Sequence, residues 1–349
     1  MKIKLNYKKG GLIILNFERI NQLSVEYNTA NNNEKQKIEE ELKKIISTMK
    51  ADAIDMFKEE SNIKKFLDHI VEFNNYSYNN LLLIFAQNPN AEYVASEKTY
   101  KQLGIEIQNH DQAINVYCPS FYDWVKIYKE DGTYIAKPSF ALNQDEKKKY
   151  KDKNNSTVVF DKKMLSRFFL GKIYDIKSTN ADISQNLLIT DELAEVDEML
   201  PCFIKAIYRD GYKIRAEDFL DNKKGYCDFE NKEIVLRKGL SNLMQLKVLV
   251  HEYGHALAHK HLKSNYEDYK LHKNKYETEA ESISYVVTKF LGLDTSNYSL
   301  TYLYSWSKEK DFQEVNDSLS TIVNYSKKII SNYKYFHQKE LEKNEDISI

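Results

Sequence analysis

The sequence predicts an α+β protein in which helices dominate. Glycine and proline are scarce, at 10 and 4 of 349 residues, so the chain has few of the residues that form tight turns. Apolar residues recur at spacings of three and four between residues 33 and 70, which is the period of an amphipathic helix. Shorter apolar segments at 114–118 and 124–128 indicate strands. A β-sandwich, which needs many turns, is therefore disfavoured.

The composition is that of a globular protein without a strong overall charge. Hydrophobic residues make up 42% and charged residues 30%, and the formal net charge is −1, so no global field attracts nucleic acid or an anionic membrane. Three widely spaced cysteines favour a reducing compartment. The apolar run at 11–15 is too short for a signal peptide, and no run approaches the roughly 18 residues that span a bilayer. We predict a cytoplasmic protein with no membrane partner.

Changes of pattern divide the chain into four predicted segments. They are an N-terminal hairpin and extension (1–40), a mixed helix and strand domain (41–185), a second domain (186–310) and a C-terminal helical segment (311–349). The second domain is expected to contain a helix at 191–208, a hairpin at 225–236, and helices at 241–261 and 275–291. The polar run 143–156 is predicted to be a loop.

The sharpest chemical signal is an HExxH motif at residues 251–255. On a helix, His251 and His255 lie one turn apart, so both imidazoles project from one face and can bind one ion. Neutral imidazole is a good zinc ligand, and Glu252 occupies the general-base position of a zinc peptidase. A chance match on a surface helix is the alternative, but the preceding apolar run and the helical Gly254 indicate a closely packed helix. We predict a site for one Zn²⁺ ion.

A catalytic zinc needs a third protein ligand and one open position. The candidates after the motif are His259, His261, His272, Glu277, Glu279 and Glu281. His259 is rotated by about 80° from His251 on the same helix, so we expect it to pack or to lie at the rim. Glu277 and Glu281 share a face of the next helix, which predicts Glu277 as the third ligand and Glu281 as acceptor of the spare N–H of a ligand histidine. Glu279 is predicted to point to solvent.

Two further parts of a peptidase site stay open at the level of sequence. Residues 232–237 have two possible interpretations. They form either an edge strand that pairs with an extended substrate backbone or an ordinary strand of the sheet. A side chain that stabilises the oxyanion is also expected. Nothing in the sequence separates Tyr253, Tyr276 and Tyr285 for that role.

Both halves of the chain resemble known families. The segments HEYGHALAH (251–259) and YETEAESISYVVTKFLGL (276–293) resemble the ImmA/IrrE-type zincin domain in its LtrC/ArdC-like form, whose second helix reads E-x-x-A-E. The segments FNNYSYNNLLLIFAQNPNAEYVASEKTYKQLG (73–104) and FFLGKIYDIKSTNADIS (168–184) are similar to the ArdC-type single-stranded-DNA-binding domain. The resemblance covers roughly residues 50–310. It implies a protein of a mobile genetic element, linked to antirestriction or DNA transfer.

The residues themselves give modest support for DNA binding. Residues 121–180 carry 13 Lys and Arg against 8 Asp and Glu, and interleaved aromatic side chains are suited to stacking on bases, although most of them are equally suited to a core. These aromatics are Tyr122, Trp124, Tyr128, Tyr134, Phe160, Phe168, Phe169 and Tyr174. Family members usually carry a basic segment after residue 104, whereas residues 105–117 contain no Lys or Arg, so DNA binding is expected to be weaker or to use other residues. The candidate DNA-binding residues are Asn75, Tyr76, Tyr78, Asn79, Lys172 and Lys177.

Three functional hypotheses follow. We predict a zinc-dependent metalloendopeptidase with a gluzincin-like ligand set, fused to a single-stranded-DNA-binding domain, with a protein or peptide as substrate. The first alternative is a non-proteolytic, DNA-binding antirestriction protein with a structural zinc site. The second alternative is a regulatory peptidase that cleaves a repressor protein and does not bind DNA.

Overall fold

The structure is a computed structural model. It describes residues 30–152, 154–181, 195–264, 266–293 and 310–347, together with five positions between 19 and 27. The predicted hairpin at the N-terminus lies outside the described residues. Helices and strands are mixed along the chain, so the predicted α+β class is confirmed. The chain forms two compact units, a main unit of residues 1–114 and 174–349 and a small unit of residues 115–173.

The first part of the main unit is helical. Its elements are α1 (Asn32–Asp55), α2 (Glu60–Glu72), α3 (Tyr78–Gln87), β1 (Val94–Ala95) and α4 (Glu97–Gln102). The helical pattern predicted for 33–70 is interrupted by one short 3₁₀ turn after α1. The rings of Phe57, Phe66 and Phe85 pack at centroid distances of 4.9 to 5.5 Å and are buried. This aromatic cluster forms a core between the helices.

The small unit is an antiparallel sheet covered on one face by a helix. Its elements are β2 (Ile114–Tyr128), β3 (Tyr134–Pro138), α5 (Gln144–Lys151) and β4 (Val158–Asp175), with the strand order β4-β2-β3. The hairpin between β2 and β3 turns at Asp131 and Gly132, as predicted, and Gly132 adopts a φ of 80°. The last two residues of β4, Tyr174 and Asp175, belong to the main unit and pair there with β1.

Helix α5 corrects the predicted loop at 143–156. The side chain of Asn143 accepts the backbone N–H of Glu146, and the Glu146 carboxylate accepts the backbone N–H of Asn143. This reciprocal pair is a capping box, which stabilises the first turn of a helix. Tyr150 then packs on the buried side chains of Val125 and Val158. Residues 144–151 are therefore an exposed polar helix, and the loop prediction holds for residues 152 and 154–156.

The second part of the main unit contains the HExxH helix. Its elements are α6 (Val196–Arg209), β5 (Lys213–Glu217), β6 (Gly225–Asp228), β7 (Glu233–Arg237), α7 (Asn242–Ala258), α8 (Tyr266–Leu271), α9 (Lys273–Phe290) and α10 (Phe312–Ile347). The helices predicted at 241–261 and 275–291 and the hairpin at 225–236 are present, and the helix predicted at 191–208 is present as α6, with residues 191–194 outside the described residues. The C-terminal segment, predicted to be helical, forms one helix. No helix in the described part of the chain has the length and apolar character that crossing a bilayer requires.

The sheet of this region decides between the two interpretations of residues 232–237. Its strand order is β5-β7-β6, with β7 parallel to β5 and antiparallel to β6. Residues 232–237 therefore form the central strand, and the edge-strand interpretation of this segment is wrong. The neighbouring strand β6 lies at the edge instead.

Candidate metal centre

Helix α7 is held by a buried apolar side and by one tyrosine. Ser241 caps its first turn by accepting the backbone N–H of Met244 at 3.4 Å. Leu246, Leu249, Val250, Tyr253 and Leu257 are buried at helical spacing. The Tyr253 hydroxyl donates to Asp210 Oδ2 at 2.5 Å, which ties α7 to the end of α6. This anchoring leaves His251, Glu252 and His255 along one cavity.

Three side chains converge at the open side of α7. Glu277 Oε2 on α9 lies 3.6 Å from His251 Nε2 and 3.5 Å from His255 Nε2. One ligand atom from each of the three residues lies within 4.8 Å of the other two. Ligands at about 2.0–2.1 Å from a tetrahedral zinc ion are separated by about 3.3 Å. The residues that the sequence predicts as ligands therefore form a set of two imidazoles and one carboxylate that fits one divalent ion.

Two more side chains orient this set. Glu281 Oε2 lies 3.3 Å from His251 Nδ1, where an acceptor for the outer N–H of a ligand histidine is expected. Tyr269 on α8 donates its hydroxyl to Glu277 Oε1 at 2.7 Å, which leaves the second oxygen facing the histidines. Sequence reasoning missed Tyr269, since its only signal is that it lies eight residues before Glu277.

The charges of the cluster are set by burial and by the carboxylates around it. Burial raises the pKa of the Glu252 carboxyl to about 7, the charge of Glu277 adds to this, and the backbone N–H of Cys227 opposes it. Burial opposes protonation of His251, but its hydrogen bonds to Glu277 and Glu281 outweigh burial and raise its pKa to about 10. Burial lowers the pKa of His255 to about 4. The metal-free cluster at neutral pH thus holds a charged His251 and a neutral His255.

Of the two remaining polar residues behind the cluster, His259 is placed as predicted and Glu279 is not. His259 is 1% exposed and Glu279 is 2% exposed, so the prediction that Glu279 points to solvent is wrong. His259 packs, as one of its two predicted placements requires, and its Nε2 lies 2.8 Å from Glu279 Oε2. Ser318 of α10 forms a hydrogen bond to the other Glu279 oxygen. Helix α10 covers this side of α9, and the spacing of residues on α9 alone gives no sign of it.

Strand β6 forms one wall of the site. Two cavities reach His251, Glu252 and Gly225. The larger has a volume of about 910 Å³ and is also lined by Cys227, Tyr269 and Glu277. The smaller has a volume of about 510 Å³. The backbone N–H of Arg237 donates to the carbonyl of Lys224, and in antiparallel pairs such hydrogen-bonded positions alternate along the strand. The backbone groups of Gly225 and Cys227 are therefore directed away from β7, and that of Cys227 reaches Glu252.

Gly225 is required by the close approach of β6 to α7. A Cβ atom at this position would lie 2.6 Å from Val248 Cγ1 and 2.9 Å from the backbone oxygen of Val235. We expect Gly225→Ala to destabilise the protein by about 1–3 kcal/mol, because the strand must move away from the helix. Gly254→Ala is the matched control: its Cβ would lie 3.4 Å from Ile283 Cγ2, and helix propensity favours alanine by about 1 kcal/mol. Urea unfolding measures both, and equal free energies of unfolding for the two variants would contradict the prediction.

The three tyrosines considered for oxyanion stabilisation are all engaged elsewhere. Tyr253 donates to Asp210, Tyr276 donates to Asp268 Oδ2 at 2.5 Å, and Tyr285 donates to Asp68 Oδ1 at 2.7 Å. All three are buried. Tyr269, by contrast, lines the larger cavity beside Glu277.

The candidate DNA-binding residues are distributed over both units. Asn75, Tyr76, Tyr78, Asn79 and Lys177 belong to the main unit, and Lys172 belongs to the small unit. The Tyr78 hydroxyl donates to Asn316 Oδ1 at 3.0 Å, and Lys177 Nζ lies 2.6 Å from a Glu92 carboxylate oxygen. Both contacts support the fold of the main unit. A DNA role for these six residues stays a prediction.

The small unit presents an aromatic face on its sheet. Tyr122, Trp124, Lys126 and Tyr128 alternate along β2, and Tyr134 of β3 pairs with Tyr128, so all five side chains share one face. Lys126 Nζ lies 4.9 Å from the centre of the Tyr134 ring. The opposite face carries the core under α5.

The other predicted stacking residues are placed differently. Phe160 shares the strand face of the core residue Val158 but is 52% exposed, and Phe169 is 48% exposed. Tyr174 is buried in the main unit, so it does not stack on bases. The side chain of Phe168 lies outside the described residues.

Two known protein families match different parts of the chain. The N-terminal domain of the anti-restriction factor ArdC matches residues 32–164. A peptidase family described as the IrrE N-terminal-like domain matches residues 209–288, which contain the whole metal cluster. The chain is thus similar to ArdC-type domains over residues 32–164 and to IrrE-like domains over residues 209–288. The resemblance predicted from the sequence is confirmed for both halves.

Individual relatives are more distant. An uncharacterised protein of Bacillus anthracis is 27% identical over 336 residues, an alignment that covers 89% of this chain and 55% of that protein. The chain thus spans about half the length of that relative. Two crystal structures of the antirestriction protein ArdC from plasmid R388 are similar. The metal-free form has a TM-score of 0.40, 14% identity and coverage of 76% of this chain and 86% of that one. The Mn(II)-bound form has a TM-score of 0.42, 15% identity and coverage of 75% and 85%.

Proposed function

We propose that this ArdC-like chain is a zinc-dependent metalloendopeptidase that also binds single-stranded DNA, and that it serves a mobile genetic element in antirestriction or DNA transfer. The observation that carries the enzymatic part is the convergence of His251, His255 and Glu277 beside the buried carboxyl of Glu252. Two imidazoles and one carboxylate form the ligand set of many catalytic zinc sites, in which a fourth position stays open.

The residues around the cluster are suited to peptide hydrolysis. A bound zinc ion would acidify water and polarise a substrate carbonyl. Glu252, with its pKa of about 7, is suited to accept the proton of the attacking water and to pass it to the leaving amine. The outward N–H and carbonyl of Gly225 and the outward carbonyl of Cys227 on β6 are suited to pair with an extended peptide in the larger cavity. This edge would hold the scissile bond beside Glu252.

Metal content tests the site. We expect the wild-type chain to bind one equivalent of zinc, and His255→Ala and Glu277→Ala each to lose it, because two remaining ligands hold zinc weakly. Elemental analysis after dialysis measures the stoichiometry, with manganese tested in parallel. Glu267→Ala, which removes an exposed glutamate of α8, is the control and should retain the metal. Wild-type protein without stoichiometric metal, or ligand variants that keep it, would refute the site.

The aromatic face of the small unit supports the DNA-binding part of the proposal. Aromatic rings beside a basic side chain form a platform on which bases stack without sequence preference. Residues 115–173 contain 12 Lys and Arg and 7 Asp and Glu, so the unit is basic although the whole chain is not. This distribution compensates for the segment 105–117, which lacks Lys and Arg.

Replacing Tyr134 tests this surface. We expect Tyr134→Ala to weaken binding of a labelled oligothymidine by about 5- to 150-fold, since stacking contributes about 1–3 kcal/mol per base. Phe160→Ala is the control, because it removes an exposed aromatic ring from the other face of the sheet. Fluorescence anisotropy at several salt concentrations gives the affinity and its salt dependence. No binding at low salt would favour the regulatory peptidase that does not bind DNA.

A further inference from the structure

A buried row of polar side chains leads from the metal cluster to the C-terminal helix. His255 Nδ1 lies 3.0 Å from His259 Nδ1, and His259 Nε2 lies 2.8 Å from Glu279 Oε2. Ser318 of α10 donates its hydroxyl to the other oxygen of Glu279. All four residues are buried. The row therefore connects α7, α9 and α10 behind the side chains that face the cavity.

One arrangement of protons satisfies every contact in this row. His255 directs Nε2 towards Glu277, so a metal bound there requires the His255 proton to be on Nδ1. That N–H then donates to His259 Nδ1, and His259 carries its own proton on Nε2. The Nε2–H donates to Glu279 Oε2, whose second oxygen accepts from Ser318. The row thus selects the tautomer of His255 that leaves its Nε2 lone pair free.

We propose that His259 and Glu279 are positioning residues of the metal centre, with Ser318 holding Glu279 in place. They fix the ring and the tautomer of His255 and place a negative charge behind it. The proposal rests on the proposed metal site and extends it to α10, which begins beyond both matched family segments. The C-terminal helix is then part of the metal centre rather than an appendage.

Burial of Glu279 is difficult to explain by packing alone. Removing a carboxylate from water is costly unless it is paired and hydrogen-bonded. Lys275 Nζ is 3.9 Å from its nearer oxygen, which is long for an ion pair, and its other contacts are a histidine and a serine. A divalent ion on the far side of His255 would add a second positive charge at the other end of the hydrogen-bonded row. Outer partners of this kind typically change metal affinity by about 10- to 100-fold.

The test compares zinc affinity in variants of the full chain. Glu279→Gln keeps the shape of the side chain and an acceptor for His259 but removes the charge, and His259→Ala removes the link to His255. We expect each to weaken zinc binding by about 10- to 100-fold in competition with a chromophoric chelator. We also expect a changed visible absorption spectrum of the Co(II)-substituted protein, because the His255 ring is no longer fixed. If His259→Ala does not fold, Glu279→Gln decides the question.

Two serines of α10 provide a matched pair. Ser318→Ala should weaken zinc binding, whereas Ser326→Ala should leave it unchanged. Ser326 is equally buried, and its hydroxyl has no hydrogen-bond partner within the described part of the chain. Wild-type zinc affinity and an unchanged Co(II) spectrum in both Glu279→Gln and Ser318→Ala would overturn the positioning role while leaving the metal site intact. Absence of stoichiometric zinc in the wild type would overturn both proposals.

Discussion

Glu252→Gln should lower kcat for peptide hydrolysis by roughly 10²–10⁴-fold, the range that general-base catalysis typically contributes. Glutamine keeps the shape of the side chain and an oxygen that accepts the Cys227 N–H, but it cannot take a proton from water. Because Glu252 is not among the three converging ligands, the variant should still bind one equivalent of zinc. Cleavage of a fluorogenic peptide mixture by zinc-loaded protein measures the loss.

Glu230→Gln is the control for this experiment. Glu230 is an exposed glutamate that lines the same cavity, and its replacement should leave kcat within a few-fold of wild type. Undiminished hydrolysis by Glu252→Gln would remove the assigned base. A separate measurement in cells decides between the functional hypotheses: if Glu252→Gln protects DNA from restriction as well as the wild type does, the non-proteolytic alternative is favoured.

The convergence of His251, His255 and Glu277 could be predicted from the sequence because most of its geometry is local. His251 and His255 are one helical turn apart, and Glu277 and Glu281 are one turn apart on the next helix, so helix periodicity alone places each pair on one face. The one contact that helix periodicity does not give is the packing of α7 on α9. The distances of 3.6 Å and 3.5 Å from Glu277 Oε2 to His251 Nε2 and His255 Nε2 show that the two helices pack with these faces together.

The parts that could not be predicted depend on which element covers which face. The sequence predicts that Glu279 is exposed to solvent, because nothing in it shows that α10 packs over Glu279 and that Ser318 forms a hydrogen bond to it. The sequence of residues 232–237 is compatible with an edge strand and with an inner strand, and only the parallel pairing of β5 with β7 excludes the edge position. Helix α2 packs on α9, with Asp68 accepting from Tyr285 and pairing with Lys289, so segments on both sides of residue 185 share one unit. The division into four segments stays a prediction.

Zinc affinity should increase about tenfold for each pH unit between pH 7 and pH 9. The ion requires a neutral His251, whereas hydrogen bonds to Glu277 and Glu281 outweigh burial and raise the pKa of His251 to about 10 in the metal-free protein. Each ion bound below that pH therefore displaces one proton. His255 releases none, because burial lowers its pKa to about 4. Below pH 7 the dependence should become steeper, since burial raises the pKa of Glu252 to about 7 and the ion favours its charged form.

The stability of the metal-free protein should also depend on the protonation of His251, but it should decrease as the pH rises. A folded-state pKa above the unfolded value of about 6.5 means that protonated His251 stabilises the fold fully below that pH, and the contribution is lost as the pH rises towards 10. Zinc binding should thus protect the protein most at alkaline pH.

Calorimetric titration of the protein with zinc, in buffers of different ionisation enthalpy, counts the protons released. Glu281→Gln is the informative variant, because removing one of the two carboxylates that hold the charged imidazole should move the plateau of zinc affinity to lower pH. A zinc affinity that does not change between pH 7 and pH 9 would show that His251 is neutral before the ion arrives.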